Sequence, residues 1–140
     1  MSEIYGDRTE WDTDLPISDR TDESSVRTIA ERLFGWKQAH FKNKDKEPIN
    51  YQFTRTTDNG TEFHEIFNPL KHPDDRERVM LASGVFWQHI EKGGFHIWSW
   101  YDMTDQTAGQ GRHKDSGRAF IEAVVMWIEA QRQHTEVSDE

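Results

Sequence analysis

Apolar residues recur with helical spacing in three stretches of the chain. The first helix is predicted at about 24–40, with Asp22, Ser24 and Ser25 as N-cap choices. The second is predicted from Pro73 to the Gly93-Gly94 pair. The inner stripe of this second helix consists of Val79, Met80, Ala82, Val85, Phe86, His89 and Ile90. The last helix is predicted at about 115–132, with Ala119, Phe120, Ala123, Val124, Trp127 and Ile128 facing inward.

Alternating and β-branched segments between the helices predict strands. Residues 49–57 and 61–67 flank Asp58-Asn59-Gly60, a strong signal for a hairpin turn. Residues 95–101 form a third predicted strand that is apolar on both faces, so we expect each face of the sheet to be covered. Residues 102–114 are predicted as a polar loop, with room for a further short strand within 102–110.

The elements together predict a single α+β domain over residues 24–131. Its order is α-β-β-α-β-α, with a small antiparallel sheet of three or four strands packed with three helices. Residues 1–23 are predicted as an acidic flexible arm and residues 132–140 as an acidic tail.

Charge is distributed unevenly along the 140 residues, whose net charge is −9. The first 25 residues contribute −6, the last 12 contribute −3, and the segment between them is neutral. Acidity is therefore a property of the ends, which are either solubilising or able to dock on a basic partner.

Composition excludes several classes of function. The absence of cysteine removes disulfides, thiolate metal sites and cysteine nucleophiles. Residues 1–14 lack the basic and apolar regions of a signal peptide, and no stretch approaches the ~20 apolar residues of a membrane span. We expect a cytoplasmic protein that does not bind membranes.

The C-terminal half has a helix, a Lys92-Gly93-Gly94-Phe95 junction, an aromatic strand, and a final helix with Ala119, Ala123 and Ala130. In these features residues 73–130 resemble small phage-encoded proteins with a helix–sheet–helix (ABA) sandwich. The resemblance implies a phage or mobile-element accessory protein and transfers no catalytic residue.

Residues able to catalyse a reaction or bind a metal are scattered. His64, Glu65 and His72 are close in sequence, and His96, His113 and Asp74 could join them by folding, but no pair has the spacing that puts two imidazoles on one helical face. Ser83 and Ser99 lie in no nucleophile motif. The sequence predicts no metal, no cofactor and no catalytic residue, and a protein that is not an enzyme.

A glycine-containing segment, 107–118, precedes the last predicted helix and carries Arg112, Lys114 and Arg118. Free backbone N–H groups, a helix N-terminus and cations suit an anion or a nucleic acid. Lys42, Lys44, Lys46 and Arg55 supply further positive charge. A nucleic-acid or nucleotide-binding module that uses the basic 37–46 and 109–118 loops is therefore one hypothesis.

Aromatic excess is the other prominent feature, since six tryptophans are many for this length. Exposed Trp and Tyr are frequent interface residues. The candidate partner-binding residues are Trp11, Trp36, Trp100, Tyr101, Asp12 and Asp14. The favoured prediction is a non-enzymatic accessory protein that binds another protein, with inhibition of host nucleic-acid machinery as one form of it.

Overall fold

The computed structural model describes residues 15–38, 52–104 and 106–138. A short 3-10 turn at Ile17–Asp19 precedes three helices, α1 (Asp22–Leu33), α2 (Pro73–Ser83) and α3 (Ser116–Ser138). Six strands are present in these residues: β1 (Lys37–Gln38), β2 (Gln52–Thr56), β3 (Glu62–Ile66), β4 (Phe86–Lys92), β5 (Phe95–Asp102) and β6 (Thr107–His113). The predicted α+β class with three helices and antiparallel pairing is confirmed.

Helix α1 begins earlier and ends earlier than its predicted 24–40 range. The side chain of Thr21, rather than that of Asp22, Ser24 or Ser25, caps it by accepting a hydrogen bond from the N–H of Ser24 at 3.1 Å. The helix ends at Leu33, and Gly35 then adopts a positive φ of 74°.

The first sheet has the order β1-β2-β3 and is antiparallel throughout. The predicted hairpin is confirmed, because β2 and β3 pair in register about Thr54 and His64. Asn59 accepts a hydrogen bond from the N–H of Thr61 in the turn, and Gly60 has the positive φ expected there.

Helix α2 begins at Pro73 as predicted but ends ten residues before Gly93. Gly84 follows it in the left-handed conformation, with φ 69° and ψ 9°, which ends a helix without steric cost. The predicted helical stripe from Val85 to Ile90 is therefore wrong, because these residues belong to strand β4 and the turn before it.

The second sheet has the order β4-β5-β6 and is also antiparallel. Gly93 and Gly94 have φ angles of 61° and 81° and form the two-residue turn between Lys92 and Phe95. Residues 107–113, mostly predicted as a loop, form the full strand β6. The described residues thus form two three-stranded sheets where one sheet is predicted.

Helix α3 packs closely on one face of the second sheet, which we call the inner face. Gly111 of β6 makes this approach possible: a Cβ atom there would lie 2.3 Å from the carbonyl oxygen of Ala119. Trp98 packs edge-on against Phe120 of α3, with ring centroids 4.8 Å apart. The buried apolar residues of both sheets and of α1 and α3 form one core cluster.

The domain extends further toward the N-terminus than the predicted start at residue 24. Residues 17–23, predicted as part of the acidic arm, pack against α3 through Arg118, which is 7% exposed. The Arg118 guanidinium donates to the carbonyl oxygens of Ile17 and Arg20 and to the Asp22 carboxylate. Arg20 in turn pairs with Glu129 at 2.8 Å.

Candidate functional site

The candidate site is the face of the second sheet that points away from α3, which we call the outer face. Side chains opposite each other in an antiparallel pair lie on the same face, and the pairing places Phe86 beside Tyr101 and Ile90 beside Ile97. The outer-face residues are Phe86, Gln88, Ile90 and Lys92 of β4, Phe95, Ile97, Ser99 and Tyr101 of β5, and Ala108, Gln110 and Arg112 of β6.

Large apolar side chains on the outer face are exposed. Phe86 is 66% exposed, and Ile90 and Tyr101 are each 44% exposed. Phe86 and Tyr101 are direct cross-strand partners, so both side chains project from the same end of the face. The expectation that both faces of the sheet are covered therefore holds for the inner face, while no described residue covers this part of the outer one. Exposed apolar side chains that share one face make this face a candidate interaction site.

The opposite end of the outer face is cationic. The Arg112 guanidinium lies over the Phe95 ring at 4.3 Å from its centroid, and Lys92 is the cross-strand partner of Phe95. No Asp or Glu occupies an outer-face position, although the chain contains 26 of them. The face therefore combines apolar and aromatic area with positive charge and lacks any negative charge.

The inner face contains a histidine pair beyond its contact with α3. His89 Nε2 and His96 Nδ1 are 2.9 Å apart, and His89 stacks on Trp98 with centroids separated by 4.6 Å. Burial and then the charge of His96 lower the pKa of the His89 imidazole below its ordinary value, while Glu91 opposes this shift. Among the described residues, no group of three or more His, Asp or Glu is placed to hold a metal ion.

Two predicted partner-binding tryptophans lie in the core rather than on the surface. Trp36 is 5% exposed and stacks on Phe34, and Trp100 is 3% exposed on the inner face. Both belong to the hydrophobic core, so neither is available to a partner. Tyr101 is exposed on the outer face, close to Phe86. The remaining candidates lie outside the described residues: Trp11, Asp12, Asp14, Lys42, Lys44 and Lys46.

The predicted anion-binding loop is not a loop. Gly109 and Gly111 lie in strand β6, where their small size admits Trp100 and α3, respectively. Arg118 is buried, and its hydrogen bonds to protein oxygens leave it no free face for an anion. Arg112 and Lys114 are exposed, the former on the outer face.

Arg55, the last predicted nucleic-acid contact, lies on the first sheet. Its guanidinium is 3.4 Å from the Glu65 carboxylate and 4.7 Å from the centroid of the Phe63 ring. Arg55 therefore contacts residues of its own hairpin.

Sequence reasoning missed Phe86 and Ile90 as surface residues, because both fit the helical spacing that begins at Val79. Two signals favour a hairpin instead. Gly84 can end a helix, and the Gly93-Gly94 pair separates two segments rich in aromatic and β-branched residues.

In the part of the chain that the structure describes, no helix has both the length and the apolar composition needed to cross a membrane. No family model matches the sequence, and neither a curated protein nor a solved structure matches it significantly.

Proposed function

We propose that this protein acts by binding another protein through the outer face of its second sheet. The observation that carries the proposal is the exposed group Phe86, Ile90 and Tyr101 on a face without negative charge. Aromatic side chains and arginine dominate the binding energy of many interfaces, and Tyr101 and Arg112 provide both types here.

The structure also supports this face as a rigid platform. Seven consecutive residue pairs join β4 to β5, and seven join β5 to β6, so the exposed side chains project from a continuous sheet. Helix α3 holds that sheet from behind through Gly111. A preorganised surface loses little conformational entropy on binding.

A photo-crosslinking residue in place of Tyr101 tests this proposal. Leu81 of α2 is 76% exposed and gives a matched control site away from the sheet. We expect crosslinked protein adducts from position 101 and none of the same mass from position 81. Equal adducts at both positions contradict the proposal.

Substitution of the aromatic pair measures its contribution to binding. Replacing Phe86 or Tyr101 with serine is expected to weaken binding of the captured partner ~30-fold each, the size of a typical interface hot spot of about 2 kcal/mol. Leu81→Ser serves as the control and should leave the affinity unchanged.

A second candidate function is binding of single-stranded nucleic acid on the same face. Phe86, Phe95 and Tyr101 offer rings for stacking bases, and Lys92 and Arg112 offer charge for phosphates. Labelled oligonucleotides test it by fluorescence anisotropy: affinity that falls steeply with salt and disappears in Tyr101→Ser supports this candidate over protein binding.

The finer predictions remain hypotheses within this proposal. They are a non-enzymatic role, a cytoplasmic location, a phage or mobile-element origin, and inhibition of host nucleic-acid machinery. Identifying the protein crosslinked at position 101 tests the last directly, because a nucleic-acid enzyme or its regulator is then expected.

A further inference from the structure

Strand β4 forms an open edge of the second sheet. Within the described residues it pairs with β5 on one side and with no strand on the other. Six of its seven residues are exposed, and only Trp87 is half-buried. In an antiparallel pair, alternate residues turn their N–H and C=O groups away from the neighbouring strand. A row of backbone donors and acceptors therefore lies open along Phe86–Lys92.

The β4 edge lacks two of the features that usually prevent strand addition. Its seven pairs with β5 run without a bulge, and it contains no proline. Its charged residues, Glu91 and Lys92, lie together at one end. The opposite edge, β6, contributes Gly109 and Gly111, so an added strand there finds less side-chain surface to contact.

Side chains near this edge specify the chemistry of an added strand. Alternate side chains of that strand project over the outer face, because the side-chain period of a strand is two residues. They meet Phe86, Gln88, Ile90 and Lys92 in turn. Apolar groups suit Phe86 and Ile90, and a carboxylate suits Lys92, whose charge no acidic residue on this face balances.

We infer that β4 accepts an extended segment of a partner protein that is apolar beside Phe86 and Ile90 and acidic beside Lys92. This mode of binding adds a strand to the sheet, with backbone hydrogen bonds for affinity and alternate side chains for specificity. The inference rests on the proposed protein-binding function and names the kind of segment that the outer face recognises.

A second copy of this chain fits the edge less well. Antiparallel pairing of two β4 strands about His89 places Lys92 beside Phe86 of the other copy. Parallel pairing of the same two edges turns the outer faces to opposite sides of the joined sheet, so the outer face is not continued. The antiparallel arrangement also brings no carboxylate to Lys92, since the outer face has no acid to offer.

Designed peptides test the inference on the full-length protein. The probe is the nonapeptide Glu-Thr-Val-Thr-Val-Thr-Val-Thr-Glu, in which the valines and both glutamates share one face of the strand. Either strand direction then brings one carboxylate to Lys92. Its counterpart has lysine at both ends. We expect the acidic peptide to bind at least 10-fold more tightly, and Lys92→Glu to reverse this preference. Lys71→Glu, at an exposed site before α2, is the matched control and should preserve it.

Backbone readouts separate strand addition from simple side-chain contact. On binding, alternate amides of β4 should become protected from hydrogen exchange, as measured by NMR. N-methylation at every second residue of the peptide should abolish binding when the methylated nitrogens face β4. It should preserve binding when they face away, because only one set of N–H groups faces β4.

Several results overturn the inference. Unchanged exchange of the β4 amides in the presence of bound peptide contradicts it, as does tighter binding of the basic peptide. Protection of β4 that grows with protein concentration alone identifies a second copy as the occupant. Faster β4 exchange after deletion of residues 1–14 identifies that segment of the chain instead. Protection produced by an oligonucleotide assigns the edge to nucleic acid.

Crosslinking at position 101 distinguishes this inference from the proposed function. Selective adducts at 101 without β4 protection by any tested peptide leave the proposed function in place and remove the inference. Loss of selectivity between positions 101 and 81 removes both.

Discussion

At the residue scale, Arg118 joins the segment before α1 to α3. Its guanidinium donates to Asp22 and Glu122 at 2.7 Å each and to three backbone carbonyls. Burial alone lowers the pKa of Arg118, but its hydrogen bonds to Glu122 and Asp22 outweigh that effect and raise the pKa above its ordinary value. The arginine is thus charged, buried and paired at every side.

Substitution of Arg118 should therefore be costly. We expect Arg118→Met to lower the free energy of unfolding by ~3–5 kcal/mol, because it leaves Glu122 buried without its partner. Urea denaturation followed by circular dichroism measures this change. Arg32→Met, at an exposed site on α1, is the control and should stay within ~0.5 kcal/mol of the wild type. A similarly small effect of Arg118→Met contradicts the structural role.

The sequence shows a charged residue at position 118 but does not predict which groups surround its side chain. Arg118 lies near a helix N-terminus among glycines, a setting that favours an anion contact. Its carboxylate partner Asp22 is 96 residues away in the chain, so local patterns carry no sign of the pairing. The two buried tryptophans pose the same problem, because Trp36 and Trp100 become core residues only through contacts between distant elements.

At the element scale, the close approach of α3 to β6 depends on a residue without a side chain. A Cβ atom at position 111 would lie 2.3 Å from the Ala119 carbonyl oxygen and 2.7 Å from the Ala123 nitrogen. Both are backbone atoms of α3, so a side-chain rotation cannot relieve the overlap. The helix as a whole has to move away from the sheet.

We accordingly expect Gly111→Ala to destabilise the protein by ~1–3 kcal/mol or more, the usual cost of overpacking. Thermal unfolding of the full-length protein measures the loss. Gln110→Thr changes the neighbouring residue on the outer face and should leave the melting temperature nearly unchanged. An equal melting temperature of Gly111→Ala and Gln110→Thr contradicts the close contact between α3 and β6.

Periodicity predicts elements well where caps and turns agree with it and poorly where they conflict. The Asn59-Gly60 hairpin and the Pro73 start of α2 agree with their flanking patterns, and both are confirmed. From Val79 to Ile90 the apolar residues are spaced as in one continuous helix, although this segment contains the end of α2 and most of β4. Gly84 interrupts that helix with a backbone conformation that spacing alone does not reveal.

At the scale of the whole molecule, the candidate site results from strand pairing. Phe86, Ile97 and Arg112 come from three strands and share one face only because β4, β5 and β6 pair in a single register. The sequence predicts one of these strands, β5, and Tyr101 on it. The acid-free character of the face follows from the register, so it was not predictable before the pairing was known.

The two sheets share one core, which makes a prediction about cooperativity. Phe67 packs against Trp36 and Phe53 beside the first sheet, and Trp98 packs against Phe120 behind the second. All five belong to the same cluster of buried residues. A destabilising substitution at Phe67 should therefore destabilise both sheets together, as expected for a small domain that unfolds in one step.

Phe67→Ala is expected to lower the free energy of unfolding by ~3–5 kcal/mol, since it removes a fully buried ring. With a typical urea dependence, the midpoint should fall by roughly 2 M at NMR reporters in both β2 and β5. Phe63→Ala, on the same hairpin but 45% exposed, is the control and should shift both midpoints far less. If β2 loses its structure at lower urea than β5, the sheets are separate folding units, and the second sheet holds its outer face without support from the first.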